Sequence, residues 1–478
     1  RKTMSLNLSF ANSWKSHLSQ IGPSWIVGAI AAGPATMAAV ITAGATFGHV
    51  FLWIVILSAV LGSLAQYLSM RLGLLTEAGI IQTVEKNLGG NWAWLLVIDV
   101  VFCAGIAQII IMKGVADISE IITGVDSRLW GIMWAIILAV GLAGKGYRFI
   151  ELVAKILVCT IVLIFIFSLF IVPINLSDAV SGIIPSFPTG VGGALVAAGI
   201  LGGAVHVSLI TVHSYVMMAR NWTKNDYSLA SFDIGASMLV AFGIYSVAIF
   251  LVAASVLHSP TIDPSDLTAV KAAQILGPIA GSNATWLFLL GLWGAGISTL
   301  GGNTLVPLYP LADKLGWSFD GSPDSSLPSM FNKLIRRPLD QPIAISRHRL
   351  LLVFFALFSA SGAFISGSFF SLLVVVLALG LVGTPFALLI VLYLLNSSAV
   401  SDRTHPIINL GGIALIIITS SVAAAYILNN HLESAISNPI SLSGMAVIFS
   451  TILFFSMLLL ILKFILTESP LAPTSINE

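Results

Sequence analysis

The chain has 478 residues, of which 57% are hydrophobic and only 9% charged, and its mean hydropathy is +1.01. A water-soluble globule of this length does not carry that balance, so lipid is the expected solvent for most of the chain. The formal net charge of +1 says little about partners and no nucleic-acid partner is expected; the placement of the charges is the informative feature.

A helix crossing the hydrocarbon layer takes about 20 mostly apolar residues. Residues 1–20 form a polar tail with Arg1, Lys2 and Lys15, and the first apolar stretch, about 22–47, follows it. That stretch is too long for a signal-peptide core and shows no obvious cleavage site, so it is expected to remain as a helix. Further stretches follow at about 50–72, 91–124, 129–144, 149–173, 190–219, 232–257 and 283–313. A polar insert at about 314–348 carries Pro323, Pro328, Pro338 and Pro342 and reads as a loop. The last four stretches lie at about 349–368, 371–395, 406–428 and 442–466, before a short tail at 467–478. The pattern predicts an all-α polytopic membrane protein with one transmembrane domain over 21–466 and about twelve helices.

Positive loops stay in the cytoplasm. Counting from a cytoplasmic N-terminus, the inner loops hold Arg71, Lys86, Lys145, Arg148, Arg220, Lys224, Lys314, Lys333, Arg336, Arg337, Arg347, Arg349 and Arg403, and the outer ones only Arg128 and Lys271. Both termini are therefore expected inside a multi-pass cell-membrane protein. Cys103 and Cys159 sit in apolar stretches without disulfide or metal-ligand spacing, and no cofactor is expected.

Two of the helices carry interruptions. In the first, Ala31-Ala32-Gly33-Pro34-Ala35-Thr36 puts a proline inside a long apolar run, where it removes a helix hydrogen bond. Five spans later, Gly202-Gly203-Ala204-Val205-His206-Val207-Ser208 weakens the sixth helix with glycines and sets polar groups at mid-span. Secondary transporters built from inverted repeats place their sites at such discontinuous helices. Membrane helices also carry Gly and Pro for kinks and close packing, and that plainer reading stays open for either break alone.

At these residues the sequence resembles the NRAMP (natural resistance-associated macrophage protein) family of proton-coupled divalent metal transporters. The resemblance rests on Ile21-Gly22-Pro23, Pro34, Ala43-Gly44, Gly48, Leu52-Trp53, Gln66-Tyr67-Leu68-Ser69 and Leu72-Gly73. Ala116-Asp117-Ile118-Ser119-Glu120, His213-Ser214 with Arg220, Ser298-Thr299 and Pro385-Phe386-Ala387-Leu388 extend it over most of the chain. It implies a LeuT-type fold of two inverted five-helix repeats with discontinuous first and sixth helices, here followed by about two C-terminal helices. It also implies that Asp117 and Glu120 belong to a proton route, with Arg220 as a distant partner.

The chain departs from the family at the metal site. The family's Asp-Pro-Gly-Asn is here Gly33, Pro34, Ala35 and Thr36; its Met-Pro-His is His206, Val207 and Ser208; and its tenth-helix Gln falls near Leu377. A bare divalent ion in low dielectric needs anionic ligands, and neither break offers a carboxylate. Half-helix N-termini near Ala35 and Val207, hydroxyls of Thr36, Ser208 and Thr211, and a protonated His206 suit a small anion such as bicarbonate or a carboxylate, or a complexed ion. The alternative is a divalent cation:proton symporter for Mg²⁺ or Mn²⁺ that binds through backbone carbonyls and ordered water; Mg²⁺, which keeps much of its water, is its best candidate. An ion channel is the lesser reading, and the enzyme motifs His-Glu-x-x-His and Gly-x-Ser-x-Gly are missing from the spans. Lys113, Asp117 and Glu120 share one helical face and read as a proton relay, a static salt bridge or a helix end near the inner water.

Overall fold

Pro34 decides where the first span gives way. A residue before proline is pushed out of the helical region, and Gly33 is extended, with φ −69° and ψ −177°. Pro34 has no N–H to lose and opens α1 (Pro34–Phe47) in its first turn. On the other side of the break the helical bonds stop with Ala32 N donating to Gly28 O at 2.8 Å and Gly33 N to Ile30 O at 3.1 Å. This computed structural model describes residues 28–467 apart from 29, 144–146, 187–190, 220, 260–262, 265–266, 318–346, 401 and 403.

A turn at Gly48, whose φ of 58° suits glycine, leads from α1 into α2 (Leu52–Thr76). The chain continues through the short α3 (Ile80–Asn87), then α4 (Gly90–Thr123), α5 (Ser127–Ala143) and α6 (Tyr147–Ile171). The sixth span is α7 (Val191–Ala204) plus α8 (Val207–Ala219). In the seventh, α9 (Tyr227–Ile234) and α10 (Gly243–Val256) flank a π-helical stretch over Gly235–Phe242, whose Ser237 and Met238 lie against Gly28. There follow α11 (Ala284–Leu305), α12 (Leu308–Lys314), α13 (Arg347–Phe358), α14 (Phe369–Leu395), α15 (Pro406–Asn430) and α16 (Leu442–Thr467).

Among the described residues nine helical stretches are long and apolar enough to cross a membrane, one of them, Pro34–Thr76, containing both α1 and α2. Ser127–Leu142 and Ile156–Ile171 are shorter apolar helices. Where their residues are described, the stretches marked from sequence fall on these helices; residues 22–27 of the first lie outside the described residues. The expected 314–348 loop is shorter at its edges, because helix reaches Lys314 and resumes at Arg347. The tail at 1–20, most of that loop and 468–478 lie outside the described residues.

The fold is all-α, and its centre is α14, which packs against α1, α4, both halves of the sixth span and α15. In α14 78% of the most apolar window is buried and in α16 only 11%, so α16 turns its apolar residues to lipid. Small residues set the closest approaches, as membrane helices require. Gly62 of α2 lies on Ala204 and Gly73 on Ser214, which brings α2 alongside the sixth span.

Two of the described basic residues, Lys314 and Arg71, have defined partners. Lys314 Nζ stands 2.5 Å from Glu85 Oε1 and over the Trp94 ring, Arg71 reaches the Tyr227 hydroxyl at 3.2 Å, and Tyr215 donates to Asp313 at 2.7 Å. These contacts tie the end of α12 to α3, the start of α4 and α8, and join α2 to α9. Arg128 lies beyond the other end of α4 from Lys314.

Candidate ion site

The glycines of the sixth span do not unwind it. Gly202 and Gly203 remain helical inside α7, and the break falls at Val205–His206. What the glycines supply is close approach. A Cβ on Gly202 would lie 2.0 Å from the Leu377 carbonyl of α14, and one on Gly203 would lie 2.5 Å from Thr36 Oγ1. The two broken spans therefore touch at Thr36 and Gly203, and α14 closes on Gly202 at Leu377, where the resembled family carries its Gln. Thr384 of α14 donates to the Val205 carbonyl at 2.7 Å and holds the end of α7.

His206 caps α8. Its Nδ1 accepts from Ser208 N at 3.2 Å, and its carbonyl accepts from Leu209 N at 3.0 Å and Ile210 N at 3.2 Å. Thr36 Oγ1 donates to Ala31 O at 2.5 Å and Thr211 Oγ1 to Val207 O at 2.9 Å. Ala35, Thr36, His206, Val207, Ser208 and Thr211 are all buried, so the breaks are closed to solvent. Gly33 packs against Thr299 of α11.

Most donors that an anion needs are thus already spent. The start of α8 is capped by an imidazole nitrogen that carries no proton while it accepts, two of the three hydroxyls are committed to carbonyls, and Pro34 has no N–H. The Ser208 hydroxyl alone of the three is without a partner.

The charged face of α4 points elsewhere. Lys113 and Asp117 form an ion pair at 2.9 Å. Glu120 Oε2 accepts from Ser127 N at 3.1 Å, at the exposed C-terminal end of α4. A small apolar cavity beside Pro34 is lined by Gly114, Val115 and Ile118 together with Leu292, Gly296 and Leu373. With 3.6 residues per turn, Lys113, Asp117 and Glu120 occupy the opposite side of the helix. The structure pairs Lys113 with Asp117 but brings neither them nor Glu120 to the breaks. Glu120 marks the end of α4 away from Lys314. Arg220 lies outside the described residues.

Other polar groups stand nearer. Gly62, Gln66, Ser69 and Gly73 follow one another at four, three and four residues and share one face of α2. Because Gly62 and Gly73 meet Ala204 and Ser214, Gln66 and Ser69 face the stretch between them. On this face both amide atoms of Gln66 and Ser69 Oγ, and on α8 Ser208 Oγ and both ring nitrogens of His213, are buried without hydrogen-bond partners. Orphan atoms of this kind are where ordered water binds. Between α4 and α11, by contrast, Gln108 donates to Thr304 at 2.8 Å and accepts from Asn303 at 3.0 Å, a satisfied clamp. Asp99 of α4 is fully buried, and the sequence reading passed over it although a carboxylate inside an apolar span is itself a signal. Among the described residues no group of three His, Cys, Asp or Glu is placed to hold a metal ion.

The sequence profile of the family described as Natural resistance-associated macrophage protein-like matches residues 24–429. The chain belongs to the NRAMP family. It is 25% identical over 305 residues to the divalent metal cation transporter MntH of Latilactobacillus sakei, a match covering 60% of this chain and 66% of that protein. To MntH of Mycobacterium tuberculosis it is 27% identical over 317 residues, covering 62% of this chain and 71% of the relative. Its fold is similar to the crystal structure of the Eremococcus coleocola manganese transporter in complex with an aromatic bis-isothiourea substituted compound, with a TM-score of 0.68, 16% identity and 95% of each chain covered. NRAMP membership makes this chain a multi-pass membrane transporter. Its breaks at Gly33–Pro34 and Val205–His206 are the discontinuities that the resemblance implied.

Proposed function

We propose that this NRAMP-family protein is a proton-coupled transporter of divalent cations that takes the ion with part of its water shell, Mg²⁺ being the best match. The carrying observation is that the donors at the break are spent. His206 Nδ1 takes the Ser208 N–H, and Thr36 and Thr211 give their hydroxyl protons to carbonyls. The anion reading loses its ligands there and gives way to the cation alternative, which the names of the MntH relatives also favour.

The kind of cation follows from the oxygen-rich, carboxylate-poor site. Mn²⁺ and Fe²⁺ bind well where soft or anionic ligands replace water, and neither break has one. Mg²⁺ dehydrates reluctantly and keeps several waters. Gln66, Ser69, Ser208 and His213 supply buried, unsatisfied atoms with which such waters form hydrogen bonds. The basic end of the bundle faces the cytoplasm in this reading, with both termini inside.

A ligand that binds only the folded state raises its apparent stability. Thermal unfolding of the purified protein is expected to shift upward with Mg²⁺ at millimolar concentration, less with Mn²⁺, and not at all with bicarbonate or acetate. An upward shift with bicarbonate and none with any divalent cation would return the site to anions.

A further inference from the structure

We infer that Asp99, set against the same turn of α14 as His206, is the group that exchanges the coupling proton and balances the charge of the transported cation, supplied from α4 in place of the carboxylate that neither break carries. The inference rests on the cation reading above.

Asp99 is fully buried, and its surroundings are sparse in donors. Oδ1 receives only the weak Sγ–H of Cys103, at 3.5 Å, and Oδ2 has no partner. A charged carboxylate held this way in low dielectric costs far more than one thiol returns. Negative charge on Asp99 therefore requires a cation beside it, and in the absence of a cation the group requires a proton. That alternation is what a proton-coupled cation carrier needs from one residue.

The placement is built by glycines. A Cβ on Gly383 would sit 2.1 Å from Asp99 Oδ2 and 2.2 Å from Oδ1, and one on Gly380 would sit 1.8 Å from His206 Nε2. Residues three apart on a helix hold their Cβ positions about 5–6 Å from each other. The carboxyl and the imidazole thus press on adjacent points of one helix. Thr384, next to Gly383, hydrogen-bonds the Val205 carbonyl at the break, so the same turn of α14 touches Asp99, His206 and the end of α7.

Asp99 meets Cys103 on its own helix, His206 meets the same turn of α14 at Gly380, and His213 is a further buried titratable group on α8, which also packs on α4. Charged residues of the other elements packed on α4 are engaged elsewhere: Glu85 with Lys314, Asp313 with Tyr215, and Arg128 at the far end. Lys86 lies on α3 at the end marked by Lys314. Each cycle balances simply. Arrival of the cation releases one proton from the Asp99 carboxyl to water, the resulting negative charge offsets one of the two positive charges, and departure of the cation returns a proton from water.

The test measures Mg²⁺ uptake and luminal pH together in proteoliposomes of the full chain. Asp99→Asn keeps the shape of the protonated acid and cannot release a proton. It is expected to lower Mg²⁺-driven proton flux at least tenfold and to flatten the pH profile of the remaining uptake, while Asp99→Glu restores part of both. Cys103→Ser, which gives Oδ1 a stronger donor, shifts the pH profile towards lower pH and keeps the test open if Asp99→Asn does not fold. Wild-type proton flux and pH profile in Asp99→Asn would overturn the inference and make Asp99 a permanently protonated structural acid, as would an unmoved profile in Cys103→Ser. The cation reading fails separately, in the wild-type protein: if that moves no divalent cation, both statements fall.

Discussion

At Gly380 the difference between a hydrogen atom and a methyl group falls on His206. An added Cβ would lie 1.8 Å from Nε2, and the ring is fixed on its other side by the Ser208 N–H, so it has no room to step back. Gly380→Ala is expected to destabilise by about 1–3 kcal/mol, the usual cost of overpacking, and to lower transport at least tenfold. Gly105→Ala on α4, where an added Cβ meets nothing within 4 Å, is the control and should leave both unchanged. Thermal unfolding and uptake of the two variants, side by side, measure this. His206 was legible in the sequence because an imidazole in mid-span stands out, and Thr36 and Ser208 because they flank the breaks. What the residues do there was not legible. Whether a hydroxyl is free for a ligand or bonded to its own helix depends on rotamers, and Thr36 and Thr211 turn inward to Ala31 and Val207. Asp99 escaped notice because nothing around it in sequence repeats its charge; the glycine it faces is 284 positions away.

Among the elements, the two breaks were legible to different degrees for a physical reason. Pro34 acts through its own ring and its preceding neighbour, so position and consequence are local. The glycines of α7 have no local outcome. In water they would weaken a helix, whereas here α14 and α1 press against Gly202 and Gly203 and keep them helical. The unwinding moves to Val205–His206, where Thr384 satisfies the freed carbonyl from a neighbouring helix. Thr384→Val removes that donor and leaves the buried oxygen of Val205 unpaired, at an expected cost of about 1–3 kcal/mol; Thr384→Ser should retain most of the stability. Denaturation of the three proteins in the same detergent separates these outcomes, and equal stability of Thr384→Val and wild type would show that the Val205 carbonyl finds another partner. The charged face of α4 was visible in sequence as Lys113, Asp117 and Glu120, yet its direction was not. Helical periodicity groups those residues without saying which neighbour they face, and the structure turns them away from the cavity beside Pro34.

Over the whole molecule, apolar stretches were enough to read an all-α membrane fold, because that follows from the cost of placing charge and unpaired backbone in lipid. The cargo was harder to read, since it depends on which donors remain unspent after folding. The proposed carriage of a hydrated cation rests on α14 at the centre touching both breaks, a closed set of break residues, and buried unpartnered polar atoms on α2 and α8. The most direct measurement is uptake into proteoliposomes of the purified protein under an imposed pH gradient, with Mg²⁺, Mn²⁺ and labelled bicarbonate as parallel substrates. Saturable Mg²⁺ uptake that responds to the gradient and is coupled to proton movement is expected, with weaker Mn²⁺ uptake and no bicarbonate uptake. Saturable bicarbonate uptake with no movement of either cation would contradict the cation reading.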